Sequence, residues 1–408
     1  MASETQSVTS EKLINAPAAQ IYQAFTNATL LKEWLCDVAT VTLKAGGRMY
    51  LWWNGDFYSS GEYVDLQPNR SVTFQWFGRG ETIPTQVKVA LTKKKDGTLV
   101  KMTHTLPAGE DWLKIAQGFQ HEWTVSLDNL ASVLETGLDR RIFDRPMLGV
   151  NPGNFNAEQA KQLGVPVTKG LRLDYVGEGM GAHAAGLRSN DVMISLGGKP
   201  LTDFDSLVAS LQGKKGGEKV EVEFYRGPEK KTVVMELSRR LVPDIPFDIP
   251  ELARRVRARY DEGLAELAKT FEGVTDEEAS FRPAPDEWSA KEVLGHLVLG
   301  EQYFPNYYLS LFQGQELWSD GWEGNSNELT RAAVMAYPTV AELLEEFRRL
   351  SNLMVAFIES WPENYLALKG SYFRAAWQLL EGQTHTHAHL AQIEAVIAIS
   401  RKPEKVPA

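Results

Sequence analysis

The chain has 408 residues, of which 43% are hydrophobic and 24% charged, the balance of a folded globular protein. Its length exceeds the ~100–150 residues of an ordinary domain and so predicts two or three domains. No stretch approaches the ~18 consecutive apolar residues of a membrane span, and the polar N-terminus lacks a signal-peptide pattern. The single cysteine, Cys36, excludes an internal disulfide, so we expect a cytoplasmic protein.

The net charge of −10 is concentrated in the last part of the chain. Residues 1–146 carry −1, residues 147–240 carry +2, and residues 241–408 carry −11. Six tryptophans precede residue 147, five follow residue 240, and none lies between. We therefore predict three domains and no nucleic-acid partner, because phosphate contacts require Lys and Arg. The predicted boundaries are 1–142, 143–240, a Pro-rich linker over 241–250, and 251–408.

The first domain has the pattern of a mixed α+β fold. Pro17 suits the first turn of a short helix, where its missing N–H costs nothing. Segments between residues 41 and 105 alternate apolar with polar side chains, which predicts an antiparallel sheet with one buried face. An apolar stripe with helical spacing runs from Ile115 to Leu134 and predicts a long closing helix.

These residues resemble those of a START-like, or SRPBCC, helix-grip domain. Over residues 7–137 the closer resemblance is to the activator of heat-shock-protein ATPase homologue family. The matching stretches are Ala16-Pro17, Thr29 to Trp34, Gly46-Gly47-Arg48, Gly61-Glu62-Tyr63, and Gln117 to Leu130. The resemblance implies a cavity for a small apolar ligand, lined by Trp53, Trp76, Phe119 and Trp123. The alternative is that these aromatic side chains are ordinary core.

The middle domain carries Ala184-Ala185-Gly186-Leu187, followed by Asn190-Asp191-Val192 and a strand pattern ending at Leu201. This run resembles a bacterial PDZ domain of the kind found in HtrA-like and site-two proteases. The resemblance implies that the C-terminal peptide of a partner protein adds a strand to a sheet edge. The peptide-binding residues implied are Lys169, Gly170, Leu171, Arg172 and Leu173. The alternative is a domain that only packs against its neighbours. The chain has no Gly-x-Ser-x-Gly or His-Glu-x-x-His motif, so the sequence gives no sign of an attached protease.

The last domain has four amphipathic helical patterns, which predict a four-helix bundle. Capping boxes begin the second and third helices at Ser289 and Thr339. A long connection over residues 312–337 holds Trp318 and Trp322.

Three histidines are predicted to meet inside the bundle. His385 and His389 are four residues apart and share one helix face, whereas His387 projects from the other side. His296 lies on the apolar stripe of the second helix. Three neutral imidazoles with one open position form the ligand set of a divalent metal, Zn²⁺ or Ni²⁺. Hydrogen-bonded core histidines or a solvated helix end are the alternatives.

The stretch from Glu287 to Leu297, together with His385, His389 and Gln392, resembles the DinB/YfiT-like metalloenzymes over residues 251–402. The resemblance assigns the metal to His296, His385 and His389, and implies a thiol S-transferase or a hydrolase. Glu301 is a candidate base, and no catalytic residue is assigned. The alternative function is a non-catalytic, chaperone-associated adaptor that binds peptides and small apolar ligands.

Overall fold

The computed structural model describes residues 4–54, 57–153, 155–316 and 326–401, with the side chains of Asp111 and of residues 382–385 left outside that description. The first unit is a seven-stranded antiparallel sheet packed against a long helix, with strand order β1-β7-β6-β5-β4-β3-β2. Its elements are β1 (Thr5–Ile14), α1 (Ala18–Thr26), α2 (Ala28–Trp34), β2 (Val38–Val41), β3 (Arg48–Trp53), β4 (Phe57–Gln67), β5 (Ser71–Gly78), β6 (Thr85–Lys94), β7 (Gly97–Pro107) and α3 (Glu110–Thr136). This architecture confirms the predicted α+β class.

Strand β1 was not among the predicted elements. It pairs with β7 from Thr5 opposite Pro107 to Ile14 opposite Thr98, so the ten residues form a complete ladder. Polar residues dominate its sequence, and within the strand only Ser10 and Ile14 are buried. The backbone ladder therefore defines this strand, and hydrophobic alternation does not reveal it.

The second unit is a small mixed domain whose main sheet has the order β13-β12-β10-β9-β8, with β11 paired to β10. The short helix α4 (Arg140–Phe143) packs on the first unit, where the Asn129 side chain of α3 accepts from the backbone N–H of Arg140. The elements of the second unit are β8 (Val150–Gly153), α5 (Ala157–Leu163), β9 (Leu171–Val176), α6 (Gly181–Ala184), β10 (Val192–Leu196), β11 (Lys199–Pro200), α7 (Phe204–Leu211), β12 (Lys219–Arg226) and β13 (Glu229–Glu236). A bridge between Met147 and Ser238 joins the two ends of this unit.

The third unit is the predicted helical bundle. Its elements are α8 (Ile249–Thr270), α9 (Asp276–Ser280), α10 (Ala290–Phe312), α11 (Asn327–Ala336), α12 (Val340–Glu359), a 3₁₀ turn (Glu363–Ala367) and α13 (Lys369–Ser400). Both predicted capping boxes are present, at Ser289 and at Thr339. The predicted long connection is interrupted by α11, while Trp318 and Trp322 lie outside the described residues.

The Pro-rich segment before α8 lies against the bundle. The Tyr372 hydroxyl donates a hydrogen bond to the carbonyl of Pro246 (2.7 Å), and the ring of Phe247 lies 5.2 Å from that of Tyr372. Asp248 then caps α8, which begins at Ile249. No helix among the residues that the structure describes has the length and apolar character of a membrane span.

Candidate functional site

The N-terminal turns of α10 place His296 inside the bundle. Ser289 Oγ accepts from the backbone N–H of Glu292, and the Glu292 carboxylate accepts from the N–H of Ser289, which fixes where the helix begins. His296 is two turns farther along and only 2% exposed. Its ring centroid lies 5.2 Å from that of Trp288. The local sequence thus directs this imidazole into the bundle, as predicted from its place on the apolar stripe.

His389 reaches the same place from α13. Its ring centroid lies 5.0 Å from that of His296, with the two planes at 72°. The Oε1 atom of Gln392 lies 2.8 Å from Nδ1 of His389. Because a carboxamide oxygen only accepts, Nδ1 carries the proton and Nε2 holds the lone pair that binds metals. This is the usual arrangement in which an outer hydrogen bond orients a metal-binding imidazole.

The third predicted ligand, His385, lies on the same helix, one turn before His389, and its side chain is outside the described part of the structure. Among the described side chains, no group of three or more His, Cys, Asp or Glu residues comes together as a metal site. The metal site of three histidines therefore stays a prediction. His387 is 45% exposed and its Nε2 contacts Oε2 of Glu266 at 2.9 Å, which places it away from His296.

A buried carboxyl lies on the same helix as His296. Glu301 is 9% exposed and accepts a hydrogen bond from the Tyr260 hydroxyl (2.6 Å). Burial raises the pKa of Glu301 to about 7, although the hydrogen bond from Tyr260 acts in the opposite direction. A carboxyl with such a pKa exchanges protons near neutral pH, which is the property of a general acid or base.

The four aromatic residues predicted to line a ligand cavity pack on one another in the first domain. The Trp76 ring lies 5.9 Å from Trp53, 6.1 Å from Phe119 and 5.1 Å from Trp123. Trp76 and Trp123 are each 4% exposed and belong to the main core, and Trp53 and Phe119 pack against it. Binding of an apolar ligand here stays a prediction.

His104 packs against these aromatic side chains. Its position on a strand did not by itself predict that contact. The Trp123 indole N–H donates to Nδ1 of His104 (3.1 Å), so Nε2 carries the proton and faces Thr85 Oγ1 at 2.7 Å. Burial lowers the pKa of His104 to about 3, so the ring is neutral at physiological pH. Its role here is to satisfy a buried indole, as expected of a structural histidine.

In the second domain the predicted peptide-binding stretch, Lys169 to Leu173, begins β9. Arg172 is paired with β8 on one side and with β10 on the other, so this part of β9 is inside the sheet. Leu171 and Leu173 are buried in the domain core, at 4% and 0% exposure. Strand addition requires an open edge, and the strand order ends at β13 and at β8. The open edge nearer to the predicted stretch is thus that of β8, one strand away from it.

Comparison with known proteins agrees with this three-part architecture. Residues 15–135 match the family model of Activator of Hsp90 ATPase homolog 1-like protein, residues 146–237 match the PDZ domain, and residues 259–393 match the DinB superfamily.

Several individual proteins are similar to parts of this chain. Periplasmic serine endoprotease DegP of Salmonella typhimurium is 32% identical over 93 residues, which are 23% of this chain and 20% of DegP. The pH-dependent endoprotease DegQ of Escherichia coli is 30% identical over 93 residues, with the same shares. The chain spans about a fifth of the length of these curated relatives.

Solved structures similar to this chain cover about a third of it. Protein MLL2253 of Mesorhizobium loti is 20% identical and covers 32% of this chain and 97% of its own, with a TM-score of 0.30. The Aha1 dimer of Colwellia psychrerythraea is 25% identical and covers 32% of this chain and 96% of its own, with a TM-score of 0.29. From the family matches, the chain joins a domain of the activator of Hsp90 ATPase homolog 1-like family, a PDZ domain and a domain of the DinB superfamily.

Proposed function

We propose that the DinB-type domain holds one divalent metal ion, Zn²⁺ or Ni²⁺, on His296, His385 and His389, and that the chain is a metal-dependent transferase or hydrolase. The observation that carries this proposal is the 5.0 Å approach of the His296 and His389 rings from two different helices inside the bundle. His385 is one helical turn from His389, so it belongs to the same helix face.

The residues present fit such an ion. His296 is a buried imidazole among apolar neighbours, and Gln392 keeps the proton of His389 on Nδ1. A bound ion would lower the pKa of a coordinated water or small thiol toward neutrality. Glu301, held by Tyr260, would take up or release a proton at neutral pH. A small cellular thiol is the substrate class we propose, with the aromatic group of the first domain collecting an apolar co-substrate.

Metal stoichiometry of the purified chain tests this proposal. We expect one ion per chain by elemental analysis, and loss of that ion in His296→Ala, His385→Ala and His389→Ala. His387→Ala is the matched control, because His387 is on the same helix but faces Glu266. A wild-type chain that folds, yet takes up no Zn²⁺ or Ni²⁺ when these are supplied, would refute the proposal.

A second candidate function is that of an adaptor that binds protein C-termini, and the open edge of β8 favours it. In this function the PDZ domain adds a peptide strand to β8, with its terminal carboxylate held by backbone N–H groups. A peptide array tests it on the full chain, with each peptide carrying either a free or an amidated C-terminus. Preference for the free form supports the adaptor, whereas equal or absent binding argues against it.

The same peptide array tests which loop binds the terminal carboxylate of the peptide. Lys169 is exposed at the predicted loop, so Lys169→Glu should weaken binding if that loop holds the terminal carboxylate. The matched control is Lys161→Glu on α5, which makes the same charge change in the same domain. Equal binding by both variants would exclude Lys169 from the carboxylate site.

A further inference from the structure

The first domain meets the bundle where α2 contacts the start of α13. Glu33 on α2 is 6% exposed, and its carboxylate accepts from the Ser371 hydroxyl of α13 at 2.5 Å. Gly370 permits this approach, because a Cβ atom there would lie 2.2 Å from Glu33 Oε2. The Glu33 carboxyl is therefore enclosed between the two domains, and their separation would return it to water.

The segment that follows α10 is held against α2 as well. Asn27, which caps α2, donates from Nδ2 to the carbonyl of Gly314 at 2.9 Å. The backbone N–H of Glu316 donates to Thr29 Oγ1 at 3.0 Å. This second bond joins a backbone amide of the bundle to a side chain of the first domain, so it exists only while the two domains are together.

The ion pairs at this contact leave Glu33 without a directly bonded cation among the residues that the structure describes. Glu316 accepts from Arg374 Nη2 at 2.8 Å, and Asp139 accepts from Arg141 Nη2 at 2.7 Å. Arg374 Nη1 is 3.9 Å from Glu33 Oε1, too far for a hydrogen bond. Of these three carboxyl groups, Glu33 is thus the one on which a proton displaces no direct ion pair.

Charged groups of both signs line the space beside Glu33, on or next to α2, α4, α10 and α13. They are Lys32, Asp37, Asp139, Arg141, Arg145, Glu316 and Arg374. Burial is the largest influence on Glu33 and raises its pKa to about 7. Arg374 and the hydrogen bond from Ser371 lower the pKa, while the neighbouring carboxylates raise it further. In water the same carboxyl has a pKa of 4.5, so the closed arrangement of the two domains binds the proton more tightly than the separated one.

We propose that Glu33 is a pH-sensitive latch between the first domain and the bundle. While this carboxyl is protonated, it stays between α2 and α13 and the two domains remain together. Once its proton has passed to water, an ionised carboxylate is held out of water beside other carboxylates, and the domains separate more readily. Separation uncovers the face of α13 on which Phe143 packs, with its ring 5.7 Å from Phe373 and 5.1 Å from Trp377.

The direction of the pH effect follows from the two pKa values of Glu33. Because the closed state has the higher pKa, its added stability is complete below the pKa of 4.5 in water and is lost as the pH rises through about 7. Between pH 5 and pH 8 the equilibrium constant for closure should fall about 70-fold. Ser371 and His389 are about 27 Å apart along α13, so the latch can be tested on the metal-free chain, independently of the proposed metal site.

Hydrogen exchange of the full chain tests the latch, because the Glu316 amide is bonded across the domain contact. The quantity measured is its protection factor, the ratio of the exchange rate of a free amide to the observed rate at the same pH. In the wild type this factor should be about 70-fold lower at pH 8 than at pH 5. Glu33→Gln stays neutral and keeps an oxygen for Ser371, so its protection factor should be the same at both pH values.

Glu301→Gln is the matched control. Burial also raises the pKa of Glu301 to about 7, but this carboxyl bonds Tyr260 inside the bundle, away from the domain contact. The variant should keep the 70-fold change at the Glu316 amide. A wild-type protection factor that is equal at the two pH values, or a change that persists in full in Glu33→Gln, would overturn the proposal.

A second amide separates opening of the domain contact from unfolding of the bundle. The Val293 amide bonds the carbonyl of Ser289 within α10 and does not depend on the first domain. It should be more protected than the Glu316 amide at both pH values. Equal protection of the two amides would also overturn the latch, because the domains would then separate only when the bundle unfolds.

Discussion

Gln392 lies three residues after His389 on α13, and its side-chain oxygen is 2.8 Å from Nδ1 of that histidine. The pair fixes which imidazole nitrogen carries the proton and so leaves Nε2 as the nitrogen with a lone pair. His296 faces this histidine from α10, with 5.0 Å between the ring centroids. An amide three residues from the histidine therefore fixes which nitrogen of His389 is able to bind a metal.

Gln392→Leu should weaken divalent metal binding by about 10- to 100-fold, because loss of an outer hydrogen bond lets the imidazole rotate or change tautomer. Competition with a chromophoric chelator measures the affinity. Gln378→Leu removes another amide from the same helix and should leave the affinity unchanged, since the contact that the structure gives for the Gln378 amide is with the Tyr307 hydroxyl, at 3.5 Å. Equal metal affinity in Gln392→Leu and the wild type would contradict this role.

The sequence predicts the bundle and part of its site, because both depend on local patterns. Helical periodicity places His296 on an inward face, and the capping boxes at Ser289 and Thr339 mark where two helices begin. The contact of His104 with Trp123 could not be predicted in the same way. It joins a strand to a helix nineteen residues later, and only the packed fold brings the two rings together.

The contact between Glu33 and Ser371 is still more distant in sequence, because 338 residues separate the two. Glu33 lies in the stretch from Thr29 to Trp34 that identifies the first domain, but nothing in that stretch indicates that Ser371 is its partner, since each domain can be recognised without the other. Strand β1 was not predicted for a related reason. It forms by backbone pairing with β7, while its own side chains are mostly polar and show no hydrophobic pattern. Motifs identify domains, whereas contacts between domains depend on how their surfaces fit.

Stability should fall as the pH rises through the range where Glu301 ionises. Burial raises its folded-state pKa to about 7 from an ordinary 4.5, so between these values the folded chain keeps a proton that the unfolded chain has released. The loss is complete above pH 7 and amounts to about 3 kcal/mol of unfolding free energy.

Glu301→Gln should remove the part of this pH dependence that Glu301 contributes, because the amide stays neutral and its oxygen can still accept from Tyr260. Burial also raises the pKa of Glu33 to about 7, so the variant keeps the contribution of that carboxyl. Urea unfolding of the bundle at pH 5 and pH 8 measures it. We expect the variant to have a higher free energy of unfolding than the wild type at pH 8 and a similar one at pH 5. If the difference in unfolding free energy between the wild type and Glu301→Gln is the same at pH 5 and pH 8, the prediction is wrong and this carboxyl is ionised in the folded chain at both pH values.

The His104 imidazole should remain neutral far below the ordinary pKa of a histidine. Burial lowers its pKa to about 3, and Trp123 donates to its Nδ1, which a protonated ring could not accept. Histidine NMR of the full chain between pH 8 and pH 5 should show one unchanged imidazole signal, assigned by its absence in His104→Gln. Protonation of that signal with a midpoint near pH 6.5 would mean that the ring is solvated.

Gly170 should be far more sensitive to substitution than Gly118. Its φ of +147° lies where side chains are rarely tolerated, and an added Cβ would meet the Met193 carbonyl oxygen and Val192 Cγ1, each at 2.8 Å. Gly170→Ala should therefore cost the PDZ domain about 1–3 kcal/mol in unfolding free energy. Gly118 lies inside α3 with open space around its Cβ position, so Gly118→Ala should stabilise the first domain by about 0.5–1 kcal/mol. Denaturant unfolding of both variants measures the difference, and a stabilising effect at Gly170 would contradict the close approach of β10.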